Sequence, residues 1–332
     1  MHDAFDTTAR IAGIGSYLPE RILTNADLER MVETSDEWIT TRTGIKERHI
    51  VADDEAMVDL VIRAGKAAME DAGVDPAEID LFLLATATVE QPVPASSSIA
   101  QPALGVVNAA CLDVSAACSG FVYALNVARQ FIATGEARKV LVVGGETLTR
   151  FTDWTDRSTC VLFGDGAGAV VLEPAPAGEG ILRCAWRTDG TYKDLIAMPG
   201  GGSRIPPSDP RNIEERLGFI KMRGNEVFKV AVRAMTEISR EVLGKAGVTV
   251  DDLALFIPHQ ANLRIITAVG SRLGIDPEKV YTNVQRVGNT SAASIPLAMA
   301  EAVAEGRMRR GDLVLLTAFG GGFTWASALL RY

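Results

Sequence analysis

Two stretches of the chain repeat each other at one fixed offset, and that repeat constrains the fold more than any other feature. "GVDPAEIDLFLLA" starts at Gly73 and "GVTVDDLALFIPH" at Gly247, while "VLVVGG" starts at Val140 and "VLLTAF" at Val314, so both pairs lie 174 residues apart. Two independent matches at one offset indicate an internal duplication. The repeated strands are almost wholly apolar, without polar alternation, which is the pattern of strands buried on both faces of a helix-covered α/β sheet. Each half also feeds its strand from an amphipathic helical stretch, "MVDLVIRAGKAAMEDAG" in the first and "NEVFKVAVRAMTEISREVLGKAG" in the second. Two stacked α/β halves follow, residues 1–176 and 177–332, with the divide in the proline- and glycine-bearing "EPAPAGEG". Within the second half, "MPGGGSRIPPSDPRN" is too rich in Gly and Pro for regular structure and is expected to be a functional loop over a site.

At 332 residues and 47% hydrophobic composition the chain has material for a large core. A net charge of −9 argues against a nucleic-acid surface, so an acidic partner would need a local basic patch. The N-terminus has no basic stretch followed by an apolar segment, and the longest apolar runs are too short to span a membrane; a soluble, unexported protein is expected. Four irregularly spaced cysteines, Cys111, Cys118, Cys160 and Cys184, make neither a disulfide framework nor a Cys-x-x-Cys metal site, which fits a reducing, cytoplasmic setting.

Three histidines narrow the search for acid–base chemistry. His2 lies in the terminus and His49 in a charged segment expected to be exposed. His259 ends the strand "LALFIPH" and opens a helical segment, at the carboxyl edge of a buried strand where α/β proteins place ligands; a satisfied core or capping histidine is the alternative. Cys160 and Cys184 read as core residues, and Cys111 begins a strand. Cys118, in "DVSAACSGF", stands where a strand gives way to a helix, among small residues that allow close backbone approach. There a helix N-terminus would lower the thiol pKa and a sharp turn would expose it, as against an inert small core residue. "FGDGAGAV" lacks the dinucleotide fingerprint and reads as a close-packing device. "GNTSAAS" offers Asn289 as a side-chain donor or a plain N-cap. "FGGGF" either aims a backbone N–H into a cavity or makes a turn.

Together, "TSDEWITTRTGIKERHI", "DVSAACSGFVYAL", "TDRSTCVLFGDGAG", "GNEVFKVAV", "PHQANLRI", "GNTSAAS" and "FGGGFTWASALLRY" resemble the thiolase-fold condensing enzymes, and within them the β-ketoacyl-acyl-carrier-protein synthase III family. The resemblance runs almost end to end. It implies an α/β fold, a thiolase-like duplicated five-layer αβαβα sandwich, and usually a homodimer. It implies an acyltransferase of fatty-acid biosynthesis that joins an acyl-CoA primer to malonyl-acyl carrier protein by decarboxylative condensation. Both are substrates, and no resident cofactor or metal is expected.

By this resemblance Cys118 is the nucleophile, His259 and Asn289 complete the triad, and the Gly321 backbone N–H joins that of Cys118 in the oxyanion hole. Trp38 and Arg157 match the pair that sandwiches the adenine of coenzyme A, and Arg42 a phosphate contact. Asn262, Gly224 and Phe319 match positions along the pantetheine tunnel. Lys229 and Arg264 match carrier-docking residues. A lysine pair further along appears here as Ser271 and Arg272, leaving Arg272 as a third docking residue. Val93 falls where short-primer relatives carry a phenylalanine that closes the partner's acyl pocket. Two alternatives stand beside this reading: a starter-unit or acyl-coupling enzyme of a polyketide-type pathway, and a non-catalytic carrier-binding module.

Overall fold

The computed structural model describes residues 7–332; His2 lies outside the described residues. The first half contains β1 (Thr7–Tyr17), α1 (Met57–Ala72), β2 (Leu81–Ala85), α2 (Ser96–Leu104), β3 (Ala110–Val114), α3 (Gly120–Thr134), β4 (Val140–Thr147) and β5 (Asp165–Pro176). The second contains β6 (Gly180–Thr188), α4 (Gly224–Ala246), β7 (Leu255–Pro258), α5 (Leu263–Leu273), α6 (Ser294–Ala304), β8 (Leu313–Gly320) and β9 (Thr324–Arg331).

The duplication is visible strand by strand. The first sheet runs β1-β5-β4-β2-β3 and the second β6-β9-β8-β7. In both, the first three strands are antiparallel neighbours and the next pairing is parallel. The place of β3 is taken in the second half by a single parallel bridge, Phe256 to Val280. The repeated glycines end equivalent helices. Gly73 (φ 62°) closes α1 and Gly247 (φ 66°) closes α4, each in the left-handed conformation that glycine adopts without a Cβ clash.

Packing produces the layers. α1 and α2 cover the outer face of the first sheet and α4 and α5 that of the second. α3 and α6 lie between the sheets, in one continuous core with residues of β2, β4, β7 and β8. This is a five-layer α-β-α-β-α arrangement. It explains the missing alternation, because every residue of β2, β4 and β8 is buried.

The prolines of "EPAPAGEG" lie inside the end of β5, which stops at Pro176, and β6 begins at Gly180. Beyond Leu172 β5 pairs only with β1, so one edge asks nothing of a missing N–H. The glycines of "FGDGAGAV" do allow close approach: an added Cβ at Gly168 would lie 2.7 Å from the backbone N of Leu297 in α6. His49 is half-buried rather than exposed, its Nδ1 2.6 Å from the carbonyl oxygen of Pro19.

Candidate active site

The carboxyl ends of β3, β7 and β8 and the mouths of the two central helices meet at one place. Between β3 and α3 the chain makes a 3-10 turn over Ala117–Ser119, with Ala117 at φ 47°. The turn is tied to β9 by Ser119 Oγ donating to the Thr324 carbonyl (3.1 Å) and Thr324 Oγ1 donating to the Ala116 carbonyl (2.8 Å). Gly320, ending β8, backs directly onto Cys118, where an added Cβ would lie 2.6 Å from the Cys118 nitrogen. The helix-mouth setting predicts a lowered thiol pKa. Burial opposes this, pushing the half-buried Cys118 thiol up to about 12, with Ser291 acting against the shift and the Glu146 charge with it.

His259 follows β7, its N–H donating to the Thr317 carbonyl at 2.8 Å. It is wholly buried, and burial depresses the imidazole to about 3, so the ring is neutral. Nδ1 lies 2.6 Å from Ser294 Oγ, and Nε2 is buried without a partner. Phe319 packs its edge against the ring at 5.6 Å, which joins His259 to the Gly320–Cys118 contact. Gln260 braces this corner, donating to the Pro258 carbonyl (2.7 Å) and accepting from the Asn283 N–H (3.0 Å).

Asn289 is held by its backbone, donating to Leu162 (2.9 Å) and accepting from Gly164 (3.0 Å). Its Oδ1 accepts the Ser291 N–H at 2.9 Å, so the NH2 end is what it has left for a ligand. Ser291 begins a second 3-10 turn, Ser291–Ala293, 174 residues after the first, with a matching φ of 48°. The two elbows are repeats of each other, with Ala292 standing where the first has Cys118.

Two further polar groups complete the site without having been singled out in the sequence. Glu146 is wholly buried, accepting from Thr88 Oγ1 (2.7 Å), the Ala87 N–H (3.1 Å) and Thr86 Oγ1 (3.3 Å). Ser294 orients His259. The readable signal for Glu146 was one acid at the end of the apolar run "VLVVGGE".

A second cluster gathers Trp38, Arg42, Arg157 and Asn262. Ser35 caps the helix Asp36–Thr43, which carries Trp38 and Arg42. The guanidinium carbons of Arg42 and Arg157 lie 4.6 and 4.7 Å from the Trp38 ring centre. The Trp38–Arg157 pair is therefore closed on itself; a flat base between them would need about 7 Å, twice the stacking distance. Asn262 caps α5, accepting from the Arg264 N–H (2.9 Å) and donating to the Arg42 carbonyl (3.1 Å).

Phe319 is buried between His259 and Phe323. Gly321 faces the Ile196 carbonyl, 3.0 Å from an added Cβ, so the Pro-rich loop starts beside the site. Gly224 and Lys229 are exposed on α4, and exposed Arg264 lies over Phe228 at 5.5 Å. Arg272 sits apart from them, in the last turn of α5, where its carbonyl accepts from Arg240. Val93 is 81% exposed. Among the described residues no cluster of His, Cys, Asp or Glu is arranged to hold a metal ion, and no helix is long and apolar enough to cross a membrane.

Known proteins resemble this chain over almost its whole length. Residues 112–190 match the family model described as 3-oxoacyl-[acyl-carrier-protein (ACP)] synthase III, and residues 243–332 match its C-terminal model. The chain is 52% identical over 324 residues to the β-ketoacyl-[acyl-carrier-protein] synthase III of Roseiflexus sp. strain RS-1, covering 98% of each chain. It is 54% identical to that of Xanthomonas campestris pv. campestris, again covering 98% of each. The crystal structure of 3-oxoacyl-[acyl-carrier-protein] synthase III from Aquifex aeolicus VF5 superposes with a TM-score of 0.91 at 49% identity, covering 98% of this chain and 100% of that one. The chain belongs to the β-ketoacyl-acyl-carrier-protein synthase III family of thiolase-fold condensing enzymes.

Proposed function

We propose that this chain loads an acyl group from acyl-CoA onto Cys118 and condenses it with malonyl-acyl carrier protein, giving a 3-oxoacyl-carrier protein and starting fatty-acid synthesis. The observation that carries this reading is the neutral, buried His259, with Nδ1 held by Ser294 and Nε2 unpartnered. With Ser294 donating to Nδ1, Nε2 carries the hydrogen. Decarboxylation of a malonyl thioester leaves an enolate oxygen, and the Nε2–H and the Asn289 NH2 are neutral donors that stabilise it without protonating the carbon nucleophile. That carbon attacks the thioester on Cys118, and the backbone N–H groups of Cys118 and Gly321 receive the oxyanion. Incubation with acetyl-CoA and malonyl-carrier protein tests the reading: 3-oxoacyl-carrier protein is the expected product, and carrier that stays malonylated while Cys118 stays free overturns it.

Coenzyme A would enter by parting the closed Trp38–Arg157 stack, with Arg42 on its phosphates and Asn262, Gly224 and Phe319 along the pantetheine path. CoA and the carrier protein act as substrates, and no resident cofactor is required. A cytoplasmic homodimer fits the surface. The edge strand β3 carries Leu112 (37% exposed), with Val107 (67%) and Val93 nearby in sequence, an apolar edge that a second copy would cover.

Lys229 and Arg264, side by side through Phe228, form the carrier-docking patch, with Arg272 at its far margin. Lys229→Glu or Arg264→Glu should raise KM for malonyl-carrier protein about tenfold and KM for acyl-CoA by less than about twofold, and added salt should weaken the wild type. Equal effects on both substrates would place these residues on the tunnel instead.

Val93 sets primer length across the dimer. Valine is shorter than phenylalanine by most of a ring, and each buried methylene contributes about 0.8 kcal/mol, so primers longer than acetyl should gain a few-fold per carbon until the wall is met. Val93→Phe should restore an acetyl preference. The measurement is kcat/KM across acetyl- to octanoyl-CoA, and a wild-type profile that collapses immediately beyond acetyl would refute the assignment.

A further inference from the structure

Asn289 is one of the two donors to the enolate oxygen in the reading above, and a donor is only as well aimed as the backbone that carries it. That backbone is clasped by another stretch of chain. The Asn289 N–H donates to the Leu162 carbonyl (2.9 Å) and the Asn289 carbonyl accepts the Gly164 N–H (3.0 Å), a parallel bridge centred on Phe163. The fit is close. A Cβ added at Gly164 would lie 2.4 Å from the Val287 carbonyl oxygen, and one added at Gly288 would lie 3.1 Å from that of Leu162. The place of Asn289 therefore follows the place of residues 162–164, and whatever fixes that stretch fixes the donor.

Two buried charged residues do so, one at each end. Arg48, on the short strand Glu47–His49, is wholly buried, and its guanidinium donates to the carbonyls of Val161 (2.8 Å) and Leu23 (3.2 Å) and to Asn25 Oδ1 (2.9 Å). Asp165, the first residue of β5, is equally buried and accepts from the Val51 N–H (2.9 Å), the Thr149 N–H (3.0 Å) and the Thr149 hydroxyl (2.5 Å). None of these six bonds is to an opposite charge. A charge met only by neutral dipoles costs stability relative to a packed apolar side chain. What the two share is the stretch they hold: a side chain of residues 48–51 grips one end of residues 161–165, and a side chain of residues 161–165 grips back at the other. The first segment also touches that of Asn289. The Arg48 Cβ would lie 3.0 and 3.1 Å from Cβ atoms added at Gly288 and Gly164, and the Lys46 N–H donates to the Gln285 carbonyl (2.9 Å).

We propose that Arg48 and Asp165 are positioning residues for decarboxylation, clamping residues 161–165 so that the Asn289 amide is already aimed at the enolate oxygen when its charge develops. This rests on the acyl-transfer reading above and adds two residues to it. Both act through the Asn289 backbone. A preorganised donor stabilises the charge only where its direction is set beforehand, and a small misplacement is expensive. The Cys118 elbow is set separately, by Ser119 and Thr324 on β9 and by Gly320 at the end of β8. A weakened clamp should therefore spare acyl loading.

Asp165→Asn tests one end. All three partners of Asp165 offer it a hydrogen, so either orientation of the new amide sets its NH2 against the Val51 or the Thr149 N–H. Arg48→Lys tests the other end, keeping the charge but replacing the fork that spans Val161, Leu23 and Asn25 with a point donor. In each, kcat for decarboxylation of malonyl-carrier protein should fall about tenfold or more, with KM changed by less than about twofold. Single-turnover loading of Cys118 from acetyl-CoA, read by intact mass, should stay within about twofold of wild type. On an Asn289→Ala background the same substitutions should lower decarboxylation by less than about a further twofold. Denaturant titration identifies the folded variants, and either one alone decides the question. A parallel fall of loading and decarboxylation, decarboxylation at the wild-type rate, or a full further loss on Asn289→Ala would overturn the positioning role. Failure of the wild type itself to decarboxylate malonyl-carrier protein would instead overturn the acyl-transfer reading.

Discussion

Cys118→Ala is expected to abolish acyl loading and condensation, a fall of about 10⁴-fold or more, while decarboxylation of malonyl-carrier protein persists. Loading needs a sulfur at the first elbow, and the remaining thiols are not equivalents. Cys160 is buried in the cluster around Trp38, and burial pushes its thiol up to about 11; Cys184, in β6, is pushed up to about 12. Decarboxylation needs only a place for the enolate oxygen, and the His259 and Asn289 donors survive the change. The fold should survive too, because the second elbow carries Ala292 at the equivalent position of the same turn. Intact mass after incubation with acetyl-CoA is the direct measurement. An acetyl increment on Cys118→Ala at the wild-type rate would remove Cys118 from the role of nucleophile.

The features legible in the sequence are those with local causes. Strands buried on both faces must be apolar throughout, so β2, β4, β7 and β8 announce themselves. Helices ending on left-handed glycine leave the repeated Gly73 and Gly247. The elbow at Cys118 was readable because a strand, small residues and a helix follow one another in the chain. What depends on distant packing was not readable. The upward push on the Cys118 thiol comes from burial by residues distant in the chain, among them Gly320, about 200 residues away, which backs onto the Cys118 nitrogen. Glu146 shows only as an acid at the end of an apolar run; that Thr86, Ala87 and Thr88 converge on it is a property of the assembled sheet. The closed contact of Trp38 with Arg157 is likewise tertiary, since the two residues come from separate helices.

His259→Ala and Asn289→Ala should each lower decarboxylation of malonyl-carrier protein by about 10²–10³-fold, the usual effect of removing one preorganised donor to a developing oxyanion. Acyl loading of Cys118 should persist in both, because loading forms no enolate for these donors to stabilise. The pH dependence gives a second, independent readout. His259 holds its neutral form down to about 3, against an ordinary value of 6.5, so between those limits the unfolded chain binds a proton that the folded chain refuses. Its burial therefore destabilises the fold progressively as pH drops from 6.5 toward 3, while the folded chain keeps the neutral donor through that window. Two consequences follow for measurement. Wild-type decarboxylation should show no inflection near 6.5 attributable to this ring. The stability of His259→Ala, relative to wild type, should improve as pH falls below 6.5 in denaturant titrations. A decarboxylation rate that rises with a midpoint near 6.5 in the wild type and loses that step in His259→Ala would mean that the ring titrates there, which a wholly buried neutral donor does not do.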